Sequence, residues 1–332
     1  MSPGAIARRD VTRYLRILLF GGAIALGIVL PIAAVTGNLS INAWIFRCTA
    51  AGYLPGFYLS HCPDKAYLDF EHGALWYPSE TAAMAGLKAA DVVFLGNSRA
   101  LMGFSSDVLF DGMRNIGLRP YNAAMNGEFD AFPKLLMQKH GITPRYVVIN
   151  ADYFFYGTVN VMGRRVLHGG PDVALEYELK AKVQEFHRAL CSDVGRETFP
   201  APWLCGEGPA QFRARSDGRV VNINWPTSNG TPTAEPGRGM PTDLAYLINN
   251  GRAFKAFVEA FGGCMILTNI ISPESNPAAA ELIAAELDVP FVAVPNHGYS
   301  SFDGSHLDPA GAEHWGMEFL SLFPAAQNAC RP

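Results

Sequence analysis

The chain has 332 residues, 49% hydrophobic and 17% charged, which excludes a disordered or low-complexity protein and is ample for one large core without metals or disulfides. Its 26 Lys and Arg against 30 Asp and Glu leave a net charge of −4 with no basic patch, so no nucleic-acid partner is expected.

The charge is unevenly placed. Arg8, Arg9, Arg13 and Arg16 against Asp10 give residues 1–36 a balance of +3, leaving −7 for the remainder. Ile17 to Val35 carries no charge, and at about 1.5 Å per residue this run approaches the roughly 30 Å apolar thickness of a bilayer. The run predicts a transmembrane signal anchor over 17–36, with Pro31 near its end. The positive flank keeps residues 1–16 in the cytoplasm and sends the rest across. The expected location is the cell inner membrane, single-pass, with the C-terminal part periplasmic. A cleaved signal peptide is the competing reading, although its apolar region is usually about 7–15 residues.

All six cysteines follow that segment, and none forms a C-x-x-C pair. An oxidising compartment predicts three disulfides. Proximity suggests Cys48–Cys62 and Cys191–Cys205, leaving Cys264–Cys330 to pin the tail, with buried free thiols as the alternative. Residues 37–90, rich in Gly, Pro and aromatics, read as an extracytoplasmic stalk or cap.

From residue 91 the pattern alternates. Asp91 to Gly96 (DVVFLG) is a short apolar, β-branched run, suited to a strand buried on both faces of a parallel sheet. A helix follows, then a strand opening at Pro120 and Tyr121 and ending at the turn Asn126-Gly127. Phe132, Leu135, Leu136 and His140 share a helical face that stops at Gly141. RYVVINADYFF is a third strand, CMILTNII a fourth, a helix starts at Pro277, and PFVAVP is a fifth strand. Asp308-Pro309 caps a closing helix through about Phe323. Residues 157–250 break the rhythm and read as an insertion after the third strand, containing a hairpin that turns at Asp217-Gly218. It is expected above the carboxyl ends of the strands. The fold class is α/β, a three-layer sandwich with a parallel five-stranded sheet of the flavodoxin-like kind over residues 91–332.

Two clusters carry chemistry, and the fold brings both to the carboxyl ends of strands. Ser98, in Gly96-Asn97-Ser98-Arg99 after the first strand, sits at a helix start, either as a nucleophile or as a plain N-cap. Asp303-Gly-Ser-His306, before the last helix, can orient an imidazole and leave its other nitrogen as base. Gly127 would add a second oxyanion N–H beside that of Ser98. Arg99 could bind an anionic substrate group or form a structural ion pair. Asn126 and Tyr153 are further candidate substrate-binding residues, and Tyr153, Phe154, Phe155, Tyr156, Trp203 and Trp225 crowd the inferred rim, where aromatics stack on sugars or simply pack. Glu313 and His314 are expected to face solvent or a helix neighbour. There is no P-loop lysine, no G-x-G-x-x-G and no H-E-x-x-H, so neither a metal nor a cofactor is expected.

This order of blocks over about residues 90–323 resembles the SGNH (GDSL) hydrolase superfamily, especially membrane-anchored relatives that act on bacterial cell-surface polysaccharides. GNSR with Ser98 looks like the first block, YNAAMNG with Gly127 the second, and Asp303 with His306 the last. The G-x-N-D block is missing: the strand reads VVINADYFF, and Asn150 falls earlier than the family's oxyanion asparagine. The resemblance implies a serine esterase or O-acyltransferase, most plausibly for O-acetyl groups, with a polysaccharide substrate or acyl donor and a membrane acyltransferase or polysaccharide synthase complex as partner. The alternative is a catalytically inert glycan-binding or scaffolding component of a secretion complex.

Overall fold

The structure is a computed structural model that describes residues 19–28, 54–62, 68–191, 209–223, 230–233, 241 and 243–330. Residues 19–28 form a helix, α1, whose side chains are all exposed, Leu19, Phe20 and Ile24 among them. Among the described residues no helix is long and apolar enough to cross a membrane. The rest of the 17–36 segment, the 1–16 flank, Cys48, Cys205, Trp203 and Trp225 lie outside the described residues.

Five parallel strands form the central sheet: β3 (Val92–Leu95), β4 (Pro120–Asn122), β5 (Tyr146–Asn150), β9 (Cys264–Thr268) and β10 (Phe291–Val292), in the order β10-β9-β5-β3-β4. Counting only these strands, the order is 2-1-3-4-5, so the chain reverses direction across the sheet between β3 and β5. That reversal opens a crevice at the carboxyl ends, where doubly wound folds place ligands. β3 shows why its residues make a central strand. Val92 and Phe94 face one core with α4 (Ser98–Gly103), α5 (Asp107–Asn115) and α11 (Pro309–Ala329). Val93 and Leu95 face another with α3 (Thr81–Lys88), α6 (Ala131–His140), α9 (Leu244–Ala260) and α10 (Pro277–Leu287). Alternate side chains thus enter opposite layers, and every residue of the strand must be apolar.

The helix boundaries follow local chemistry. Asn276 caps α10 by accepting from Ala279 N, 2.9 Å, and Asp308 caps α11 by accepting from Gly311 N, 2.9 Å, each with proline at the first turn. Helix α11 passes Phe323 and includes Pro324, ending at Ala329. The longer helix carries Cys330 to the amino end of β9, where it is bonded to Cys264 with Cα atoms 5.8 Å apart. Closing 66 residues in this way stabilises the fold by about 4 kcal/mol through chain entropy. Cys62 and Cys191 are also disulfide-bonded.

The segment before β3 and the insertion are not separate appendages. β1 (Phe57–Cys62) and β2 (Leu68–Asp69) join β6 (Ala210–Ala214) and β7 (Val220–Ile223) in a second, antiparallel sheet ordered β2-β1-β6-β7. Between β5 and this hairpin run α7 (Val161–His168) and α8 (Pro171–Cys191), and a short β8 (Thr231–Pro232) pairs with β11 (Ser300–Ser301). The crossover helix to the fourth strand is α9, so the inserted material ends by residue 243, not 250. The hairpin docks beside the edge strand β4, not above the sheet: Asn122 N donates to Asp217 O at 2.7 Å. Gly218, at φ +72°, makes that docking possible, because a Cβ there would sit 2.2 Å from the Asn122 carbonyl oxygen. An edge strand of three residues has unpaired N–H and C=O groups, and the hairpin turn satisfies them.

Asp130, buried where α6 begins, accepts from Gly157 N at 2.6 Å. Burial pushes its carboxyl up to about 6, and the Gly157 amide offsets this only partly. A folded-state value above the unfolded one means the fold binds this proton more tightly, so stability declines as pH rises from about 4 through 6. Asp130→Asn keeps an oxygen for Gly157 and removes the charge. It is expected to raise unfolding free energy above pH 7 by about 2 kcal/mol and to change little at pH 4. Urea melts at the two pH values check this; equal gains at both would show that the charge is not the cause.

Candidate active site

Gly96 ends β3 at φ +151°, and a Cβ there would stand 2.4 Å from the Ala100 Cβ and 3.1 Å from the Asn150 Cβ, so only glycine permits this sharp entry into α4. Asn97 then caps the helix, its side-chain oxygen accepting from Arg99 N at 3.0 Å. The capping role open to Ser98 therefore falls to its neighbour, and the serine hydroxyl is left for other work. It meets the ring of His306: Ser98 Oγ lies 2.9 Å from Nε2 across 208 positions of sequence. On the far side of the ring, Nδ1 lies 2.8 Å from Asp303 Oδ2.

Asp303 is held by its own loop. Its Oδ1 accepts from the amides of Ser305, 2.9 Å, and His306, 2.8 Å. Burial alone would raise this carboxyl, but those amides and the imidazole together outweigh it and hold the group below the ordinary carboxylate range. An ionised Asp303 favours the tautomer with hydrogen on Nδ1, which leaves Nε2 to accept from Ser98. Bridging of Ser301 to Leu307 and the Phe302 N to His306 O bond, 2.9 Å, make the loop a tight turn entering α11.

Gly127 reaches the same rim by register. Met125 N donates to Gly96 O at 3.0 Å, extending the β3–β4 pairing and bringing the Asn126-Gly127 turn to the carboxyl end of β3. The helix start offers the unpaired amide of Ser98, and Gly127 offers another on an exposed turn. Asn150 is placed differently. It is fully buried, and its side-chain oxygen accepts from Ile270 N at 2.9 Å, locking β5 to the end of β9. Arg99 takes the ion-pair option: it binds the buried Asp152 and the exposed Glu274. Burial raises the Asp152 carboxyl, against the pull of Arg99. Of the rim aromatics, Phe154 and Phe155 are core residues stacked edge-on against Phe254, so they are not a sugar platform. Tyr153 is half-buried at φ +53°, an unusual conformation for a side-chain-bearing residue, and stacks on Tyr156 at 5.8 Å. Glu313 and His314 are exposed, as expected.

A buried ion pair and a buried histidine–carboxylate contact under the Gly127 turn escaped the sequence reading. Helix α2 (Glu71–Trp76) supplies Glu71, which accepts from Asn126 N at 3.0 Å and from Arg213 Nη2 at 2.8 Å. Arg213, from β6, also donates to the carbonyls of Asn122, 3.1 Å, and Ala124, 2.5 Å. Beside them His72 meets Glu128 at 2.8 Å, and Glu128 accepts from Asn160 N at 3.1 Å. Asn160 in turn donates to Asn126 O at 2.8 Å. The second sheet and the insertion thus hold segment 122–128 from below. Isolated polar and charged residues in a sequence ordinarily read as solvated, which is why these four carried no signal.

Among the described residues no three His, Cys, Asp or Glu side chains are grouped to hold a metal ion. Comparison with family models, curated proteins and solved structures returns no match for this chain.

Proposed function

We propose that the chain is a membrane-anchored, extracytoplasmic serine esterase or O-acyltransferase of the SGNH type, acting on the O-acetyl groups of envelope or secreted polysaccharide. The observation that carries this reading is the continuous relay Ser98 Oγ, His306 Nε2, His306 Nδ1, Asp303 Oδ2, with both contacts under 3 Å. Ser98 Oγ attacks the ester carbonyl carbon while its proton passes to Nε2. The carbonyl electron pair rests on an oxyanion facing the Ser98 and Gly127 amides, a pair of donors each worth roughly 3–4 kcal/mol. Collapse breaks the bond to the sugar oxygen, which leaves with the proton from Nε2. Water or a second sugar hydroxyl then takes the acyl group by the same steps in reverse. The exposed apolar side chains of α1, Leu19, Phe20 and Ile24 among them, support the anchor, since a water-soluble domain would bury them.

A second reading is favoured by Asn150, which is wholly buried: its oxygen accepts from Ile270 N and its NH2 is enclosed without a hydrogen-bond partner, so neither end of the amide faces the open rim. In that reading the domain binds or scaffolds glycan without turnover. The test is exposure of the purified chain to a serine-reactive phosphonate and a chromogenic acetate ester, with Ser98→Ala alongside. Covalent labelling at Ser98 and hydrolysis that vanishes in the variant are expected. No labelling, or equal hydrolysis by both proteins, selects the binding reading.

A further inference from the structure

Beside the relay lies a cavity of about 420 Å³, within the range of small-ligand pockets. Met102, which lines it, is one helical turn past Ser98 and so shares its face of α4. Phe302 and Leu307, which also line it, bracket Asp303 and His306 in sequence. The opposite wall is β7 of the insertion, with Val221 and Asn222. Ser98, Asp303 and His306 are not among its lining residues; the cavity adjoins the relay through these neighbours, on the side where a unit next to the ester-bearing one would extend.

Its charge discriminates between ligands. Arg219 is the one cation among its lining residues, and it is already paired with Asp107 and Asp217. Asp107 and Glu313 stand at the lining with exposed side chains, and Glu313 makes no ion pair among the described residues. An anionic ligand would meet like charge with no available cation. A long acyl chain would leave Glu313 and Asn222 without polar partners, whereas sugar hydroxyls donate to the carboxylate and accept from the Asn222 amide. The Asn222 oxygen is used by Gln211 Nε2 at 3.1 Å, which leaves the NH2 group as donor. Phe302 supplies an apolar face for ring C–H groups.

We infer that this cavity, between the Met102 face of α4 and the hairpin strand β7, is the subsite for a neutral glycosyl unit adjoining the one that carries the ester. The inference rests on the proposed carbohydrate activity and adds to it the charge class of the polymer and the place where it binds.

The test is calorimetric titration of the full chain in a sugar-free zwitterionic detergent with neutral tetrasaccharides of β-1,4-linked glucose and N-acetylglucosamine, and with a galacturonate tetramer. A neutral tetrasaccharide is expected to bind at least about tenfold more tightly than the galacturonate. Asn222→Ala, which removes the amide donor from the lining strand, is expected to weaken it about fivefold, and Glu313→Lys to improve galacturonate binding relative to the neutral sugar. Absence of neutral-sugar binding, or binding indifferent to Asn222→Ala and Glu313→Lys, overturns the inference. Titrating Ser98→Ala separates the two questions. Phosphonate labelling without cavity binding leaves the esterase reading standing, and cavity binding without labelling leaves a glycan-binding protein.

Discussion

His306→Ala is expected to lower kcat for acetate-ester hydrolysis by about 10⁴-fold or more, with KM changed only a few-fold. The hydroxyl of Ser98 has a pKa far above neutrality, and Nε2 at 2.9 Å is its acceptor. Without the ring, the attacking oxygen must shed its proton to water, and the leaving oxygen of the ester has no donor. Both barriers rise in the transition state and neither affects ground-state binding, which is why the loss is expected in kcat. Asp303→Asn should cost less, on the order of 10² to 10⁴. The Asp303 side chain is 54% exposed, so water partly replaces what its charge does for the imidazole. A His306→Ala protein with near-native turnover would exclude the relay as the source of any hydrolysis, whatever the state of Ser98.

Arg213→Met is expected to destabilise the fold by about 3–5 kcal/mol. Both side chains of the Arg213–Glu71 pair are wholly buried, so removing one partner strips a neutralising charge from a carboxylate with no access to water. The same change removes the donors to the carbonyls of Asn122 and Ala124. Pairing it with Glu71→Leu should recover part of the loss, because two well-packed apolar groups avoid the desolvation cost of the ions. Chemical denaturation of the single and double variants measures both. The two losses simply adding would show that the charges are not coupled. Hydrolysis should fall further in Arg213→Met than the folded fraction accounts for, since segment 122–128 carries Gly127.

The central sheet was legible because its strands announce themselves. VVFL and YVVI are β-branched and apolar throughout, which is what burial on two faces demands, and Gly141, Asn276-Pro277 and Asp308-Pro309 mark helix ends by local chemistry. Once a parallel sheet is granted, residues just after strand ends share one rim, so Ser98 and the Asp303–His306 loop could be placed together without coordinates. The second sheet was not legible. β1 reads FYLSHC with no alternation of buried and exposed positions, and its partner strand β6 lies some 150 residues away across the insertion. Pairing at that separation leaves no local mark.

The chain's own order of residues determined the alternation of strands and helices, the turn that presents Ser98, and the local bond by which Asp303 orients His306 three residues on. All of these depend on interactions within a few residues. What only the tertiary structure decided is which polar groups are spent and which remain available. The Asn150 oxygen is committed to Ile270 while its NH2 is buried without a partner, Arg99 is committed to Asp152 and Glu274, and Glu71 and Arg213 to the backbone beneath Gly127. Hydrogen-bonding capacity is finite and is used up by whichever partner the fold brings within reach, so it becomes readable only when distant segments meet.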